Sequence, residues 1–356
     1  VWSMGRRGPT RRFRGGPMTS DNNDGVGLSL AEVADLTRRV LIACGTGPAN
    51  AESVVDSVVA AEADGIHSHG LARLPTYAEH VLCGKVDGKA QPGLSLPRPG
   101  AVVVDAACGF AHPAIDLGLA SLVEAARDCG VAAMTVTNSY NCGVAGYHVE
   151  RIAQQGMLAL GFVNAPAAIA PWGGKKGVFG TDPIAIGCPR GDLPPLVLDQ
   201  SSSVIAKSEV MVHAQKGEPI PEGWAFDADG NSTTDAAEAL KGTMAPTGGR
   251  KGANLAMLIE LMAAGLSGSH FGFQASSFGG NEGGAPRTGQ CFLAFDTAAF
   301  AEGFTDHAAA MFAAIEEQPG TRLPGDRRLS AREQTAREGV AIAKALHEKL
   351  EGYAAR

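Results

Sequence analysis

The sequence predicts an α/β fold with a sheet in the middle of the chain and helices at both ends. Three observations carry this reading. Short β-rich runs recur between residues 101 and 295, helical patterns separate several of them, and helix-start signals stand near both ends. With 356 residues and 45% apolar content there is ample material for a core. The expected division is a disordered extension over 1–24, an N-terminal helical segment over 25–100, an α/β domain over 101–299, and a C-terminal helical segment over 300–356 that packs with the N-terminal one.

Taken in order, the opening VWSMGRRGPTRRFRGGP carries five arginines but lacks the apolar run that export requires, so it reads as an extension with Met18 as a start. Ser29 and Glu32 form an S-x-x-E capping box ahead of LAEVADLTRRVLIAC, where apolar spacing stays helical until Gly45. Pro48, at a first-turn position, opens a second helix to about Ala63. After the turn-rich 84–100 come the strands AVVVD (101–105), VAAMTVT (131–137), LALGFV (158–163), PLVLD near 194–199 and CFLAF (291–295). Helices near 113–129, 146–155 and 252–266 cover that sheet. The Gly-rich FGGNEGGAP (278–286) reads as loose, and Ser330 with Glu333 repeats the capping box for a helix running to Tyr353.

Composition narrows the function. A formal charge of −7 gives no global reason to hold nucleic acid or an anionic membrane. No apolar stretch is long enough to span a bilayer. Seven scattered cysteines without a C-x-x-C pair point to reduced thiols in the cytoplasm, with neither a disulfide framework nor a thiolate metal site. Small-molecule chemistry remains.

Four stretches concentrate polar chemistry. In DGIHSHGLARLPTY (64–77), a helix capped by Ser68 places His69, Arg73 and Tyr77 on one face, although Pro75 either kinks that helix or begins a new one. The bland alternative is a surface helix start. A metal at Asp64, His67 and His69 lacks any supporting motif. In TNSYNCGVAGYHVERIAQQG (137–156) a strand runs into a helix start, where backbone N–H groups can hold a phosphate or simply form a turn. WGGKKGVFGTDPIAIGCPR with VLDQSSSVIAKSEV offers Gly-rich backbone and hydroxyls, and PTGGRKGANLAMLIELM sets Arg250 and Lys251 at a helix start suited to an anion. No G-x-G-x-x-G follows the early strands and no G-x-S-x-G occurs, so neither a Rossmann dinucleotide site nor a serine-hydrolase elbow is supported.

SHGLAR (68–73), NSYNCG (138–143), FGTDPIA (179–185), LDQSSS (198–203), GGRKG (248–252) and RLPGDRR (322–328), in this order, resemble the malate/L-lactate dehydrogenase family. The resemblance runs from about residue 27 to 350. It implies a non-Rossmann NAD(P)-binding fold, a homodimer, and a site near the subunit interface. Carried over by motif, His69 resembles the proton donor, oriented by Ser68, and Arg73 the clamp on a substrate carboxylate. Thr181 resembles a substrate contact. The resemblance implies NADPH, or NADH, held by Asn141, Cys142, Gly143, Val144 and Ala145, by Asp199, Gln200 and Ser201, by Arg250 and Lys251, and by Pro324, Gly325, Asp326, Arg327 and Arg328.

Three positions depart from the pattern: Asn141 replaces a histidine common in the family, Asp182 replaces an asparagine, and Gln200 with Ser201 replaces a more apolar pair. Glu209 stands where hydroxy-acid members often carry lysine and cyclic-imine reductases carry aspartate, completing a relay with Ser68 and His69. A carboxylate there favours a protonated imine and disfavours a second anionic group; its bland reading is a solvated helix residue. The expectation is an NAD(P)H-dependent reductase of a cyclic imine carboxylate, Δ1-piperideine-2-carboxylate or Δ1-pyrroline-2-carboxylate, giving L-pipecolate or L-proline. One rival is a malate-, lactate- or sulfolactate-type 2-hydroxy-acid dehydrogenase, favoured by NAPAAIAPWGG and GEPIPEGWAFDADG; another is a non-catalytic or metal-dependent protein on the same fold.

Overall fold

The computed structural model describes residues 25–356; the expected extension at 1–24 lies outside them. A seven-stranded sheet runs in the order Gly93–Arg98, Ala101–Asp105, Val131–Ser139, Thr288–Asp296, Met157–Val163, Ile184–Arg190, Leu193–Gln200. The second and third strands are parallel, linked by the helix Ala111–Cys129, and every other neighbouring pair is antiparallel. That topology is why no Gly-rich dinucleotide fingerprint follows the early strands.

Alternation along the strands gives the sheet two apolar faces. Ala159 and Phe292 face one core, packed with the helices Ala111–Cys129 and Ala145–Ala153. Phe162 and Cys291 face the other, under Ile259 and Ala263 of the helix Arg250–Glu260 and its π-turn Leu261–Gly265. Gly118 lets its helix approach the sheet: a Cβ there would lie 2.4 Å from Met134 Sδ.

The N-terminal helices Leu30–Ala43 and Pro48–Ala63 share a core with Val340, Ile342, Leu350 and Tyr353 from the C-terminus. Gly25–Leu28 pairs antiparallel with Val340–Ala343, and Arg39 reaches Glu351 at 2.8 Å. The Ser29 capping box forms, Ser29 N donating to Glu32 Oε2 at 2.7 Å.

Several expectations need correction. The segment 84–100 contains the strand Gly93–Arg98, exposed throughout and interrupted by Pro97, as an edge strand tolerates. Ile184–Arg190 is a strand hidden in sequence by its glycine and proline. The tail is two helices, Asp326–Glu338 and Lys344–Ala354, separated by Val340–Ala343; Ser330 lies inside the first, which Gly325 precedes at φ 93°. Phe304–Glu316 packs against Cys188 and Leu323 on the sheet edge, away from the terminal lobe. Residues around 205–244 form a small satellite, with the helices Lys207–Lys216 and Ala236–Lys241 and three two-residue strands.

Candidate active site

Residues 64–77 do not form one helix. His67–His69 and Leu71–Arg73 are two 3-10 turns hinged at Gly70, and Pro75 opens the separate helix Leu74–Leu82. The organiser is Glu62, missed in the sequence because it reads as one more residue of an amphipathic helix. Its buried carboxylate accepts from Leu71 N at 2.6 Å and lies 2.5 Å from His67 Nδ1. Gly70 is required, because a Cβ would sit 2.1 Å from Glu62 Oε1.

This turn presents Ser68 Oγ 3.1 Å from His69 Nδ1, which leaves the far ring nitrogen for a ligand. The ring is walled by protein, and that burial, followed by the charge of Arg73, lowers the His69 pKa to about 4. In the free protein the imidazole is therefore neutral at pH 7, which departs from the proton-donor role that the family resemblance implies. Arg73 has no carboxylate partner among the described residues, and its Nε is buried without a hydrogen bond. An unpaired guanidinium beside an imidazole is a carboxylate site in waiting. Its Cζ stands 5.9 Å from the ring centroid of Phe278.

Asn141 is absorbed into the framework: its Oδ1 accepts from Tyr77 O–H at 2.9 Å and from Gly143 N–H at 2.8 Å, tying the Arg73 helix to the loop 141–145. Cys142 turns inward; its thiol is pushed by burial up to about 12, and its carbonyl is 2.8 Å from His148 Nε2. Any cofactor contact it makes is through backbone.

Next to this lies a cleft of about 400 Å³, lined by Val144, Gly146, Val197, Asp199, Arg322 and the turn 323–328, with Ile66 at its edge. Three of the expected cofactor segments therefore converge. Gly146 N–H donates to Asp199 Oδ2 at 2.7 Å; the walls of the cleft raise the Asp199 pKa, opposed by that hydrogen bond and by Arg328, although the side chain still meets cleft solvent. Arg322 and Arg327 are exposed and without an ion-pair partner among the described residues. Apolar walls with free guanidiniums and an orphaned Arg328 Nε fit a dinucleotide with phosphates.

Arg328 itself is mostly committed elsewhere. It lies 2.6 Å from Glu150 and 3.1 Å from Asp64, and Arg332 reaches the same two acids at 3.0 and 2.7 Å. Burial raises the Glu150 pKa, but hydrogen bonds from Arg332 and Arg328 outweigh it and hold the group below its usual value. Asp64 precedes the His69 turn, Glu150 follows the loop 141–145, Arg328 ends the 324–328 turn and Arg332 follows it, so this cluster locks the three segments together. Asp64 and His67 are thus engaged by partners other than each other.

The remaining residues form a second group. Thr181 C=O accepts from Ser202 N–H at 2.7 Å, Ser201 Oγ is 3.1 Å from Ser203 Oγ, and Thr247 N–H donates to Ser202 C=O at 2.8 Å. Arg250 and Lys251 are exposed behind Gly248 and Gly249, beside Trp172, and neither lines the cleft. Gln200 is exposed at its strand end. Asp182 is fully buried at φ 33°, its Oδ1 accepting from Ala165 N–H at 3.0 Å. Burial, and after it the charge of Glu260, raise its pKa well above the usual value, and its Oδ2 is buried without a hydrogen-bond partner. Glu209 is exposed in the first turn of Lys207–Lys216, without a hydrogen bond or ion pair to Ser68 or His69.

The malate/L-lactate dehydrogenase family profile matches residues 28–351. The chain belongs to the malate/L-lactate dehydrogenase family. Among curated members, the (2R)-3-sulfolactate dehydrogenase (NADP(+)) of Chromohalobacter salexigens is 46% identical, over 92% of this chain and 98% of that protein. The Δ1-pyrroline-2-carboxylate/Δ1-piperideine-2-carboxylate reductase of Pseudomonas aeruginosa is 40% identical, over 91% and 98%. The crystal structure of Δ1-piperideine-2-carboxylate reductase from Pseudomonas syringae pvar. tomato superposes with a TM-score of 0.87 at 35% identity, covering 92% of this chain and 99% of that one. This malate/L-lactate dehydrogenase family member is an NAD(P)-dependent oxidoreductase on the non-Rossmann α/β fold.

Proposed function

We propose that the protein reduces a cyclic imine carboxylate, Δ1-pyrroline-2-carboxylate or Δ1-piperideine-2-carboxylate, to L-proline or L-pipecolate with NADPH. The observation that carries this is Arg73 beside His69: it is the cation whose charge acts on that imidazole, and it lacks a carboxylate of its own. One free guanidinium suits one carboxylate, gripped through two parallel N–H donors. A neutral His69 accepts a hydrogen bond from an iminium N–H, which brings its own proton to the reaction; a 2-oxo acid would need that proton from His69. Thr181 contacts the substrate in this reading, whereas Glu209, exposed and without a contact to Ser68 or His69, does not complete the relay expected of it.

The cofactor supplies the hydride when bound. Loop 141–145, Asp199, Gln200, Ser201 and the turn 324–328 hold it, Arg250 and Lys251 contributing from the second group. Arg322 and Arg327, exposed at the cleft, support a 2′-phosphate and hence NADPH. We place the enzyme in the cytoplasm, on its scattered cysteines, and as a homodimer. Met257, Leu258, Leu261, Leu266 and Phe273 form an exposed apolar group about one helix, the kind of surface a second copy covers.

The 46% identity to a sulfolactate dehydrogenase favours a second reading, a 2-hydroxy-acid dehydrogenase using the same Ser68, His69 and Arg73. NADPH oxidation measured side by side with the two imines and with 2-oxo acids separates them: turnover of the imines is expected, and turnover of the oxo acids alone rejects the imine reading. The non-catalytic rival loses much of its motive, because Asn141 Oδ1 and Asp182 Oδ1 both accept framework hydrogen bonds.

A further inference from the structure

The Gly-rich segment 278–286, expected to be loose, is pinned from outside its own chain neighbourhood. Lys85 is 1% exposed, and its Nζ donates to the carbonyls of Ser277 and Gly280 at 2.6 Å and of Glu282 at 2.7 Å. Three carbonyl oxygens around one ammonium use every donor that Lys85 has. Within the loop, Ser276 Oγ closes onto the Gly284 carbonyl at 2.7 Å.

The pinned loop carries Phe278 across to the helical lobe. Its ring meets Tyr140 edge-on at 5.2 Å between centroids and lies 5.9 Å from Arg73 Cζ. His80 supports the same wall, its Nδ1 being 2.6 Å from Tyr140 O–H. A guanidinium resting on an aromatic face keeps its plane, so its donor fork is set before a carboxylate arrives. Phe278 thus adds to the contacts that order Arg73 before the substrate arrives.

We propose that Lys85 and Phe278 are positioning residues for substrate binding: the Lys85 ammonium acts as a built-in cation that fixes loop 277–284, and the loop holds Phe278 over Arg73. This rests on the reading of Arg73 as the carboxylate clamp. It adds a control element that none of the motif residues contains.

The test uses the full-length enzyme with Lys85→Met, Lys85→Ala and Phe278→Ala. Amide hydrogen exchange of peptides spanning 276–286 is measured without substrate, and KM and kcat are measured for Δ1-pyrroline-2-carboxylate, or for whichever 2-oxo acid is turned over. In Lys85→Met, exchange in the loop accelerates and KM for the carboxylate rises about ten-fold, with kcat within about two-fold. In Phe278→Ala, KM rises similarly while loop exchange is unchanged. Methylammonium added to Lys85→Ala restores both loop protection and KM. Unchanged loop exchange in Lys85→Met overturns the pin, and a loosened loop with unchanged KM overturns the link to Arg73. If the Lys85 variants do not fold, an unchanged KM in Phe278→Ala is decisive against the proposal. An Arg73→Met control that leaves KM unchanged indicts the clamp reading instead, while the exchange result still judges the pin.

Discussion

Arg328 lies 2.6 Å from Glu150 and 3.1 Å from Asp64, joining the cofactor turn to the helix behind loop 141–145 and to the entry of the His69 turn. All three side chains are nearly buried, at 11%, 5% and 6% exposure, so removing the cation leaves two carboxylates facing Arg332 alone. Such a loss in a buried network costs about 3 kcal/mol. Arg328→Met should lower the urea unfolding free energy by about that amount and weaken NADPH binding; an unfolding midpoint equal to wild type would show that the network does not hold these segments. Arg332, more exposed, should matter less.

Gly70→Ala tests the organiser of the His69 turn. The added Cβ must displace the Glu62 carboxylate from Leu71 N–H. Because a shift of about 1 Å in a reacting group can cost about 100-fold in rate, kcat should fall by that order while NADPH binding, measured by fluorescence titration, persists. Wild-type kcat would mean that the turn is not set by Glu62.

His69→Ala removes the ring that Ser68 orients. With that hydrogen-bond acceptor gone the imine is no longer held in place, and turnover should drop by about 100-fold with cofactor affinity kept. An unaltered rate would strip His69 of its role.

The buried Asp182–Glu260 pair predicts a pH dependence. Both pKa values are raised, Asp182 well above 3.8, so the folded state keeps a proton that the unfolded chain releases. Stability from Asp182 is complete below pH 3.8 and is lost as pH rises toward its folded value, at about 1.4 kcal/mol per pH unit. Asp182→Asn keeps the shape without the titrating proton, so as pH rises above 3.8 its unfolding free energy should decline less than that of wild type. Parallel pH profiles would rule out a shared proton.

Much of this was legible in the sequence, and the reasons differ by residue. The capping box at Ser29, the Pro48 helix and five strands follow local rules of period and capping. The Ser68–His69 pair is adjacent in sequence, so its contact needed no tertiary information. Glu62, Lys85, Glu150 and Arg332 were invisible because each acts on a segment distant in sequence or through backbone groups, and nothing local marks a helix glutamate as buried. Gly93–Arg98 and Ile184–Arg190 were hidden by Pro97, Pro189 and Gly187, which depress strand propensity that edge position and tertiary pairing override. Asp182 shows the limit most sharply. Its type signals charge, yet burial and Glu260 push its pKa well above the usual carboxylate value.

In the proposed reaction Arg73 and His69 act together on one small planar carboxylate beside the cofactor cleft. The most direct measurement is the KM for Δ1-pyrroline-2-carboxylate in Arg73→Met, paired with NADPH affinity in the same variant. KM should rise by about 100-fold with NADPH binding unchanged. An unaltered KM in an enzyme that turns over the imine would contradict it.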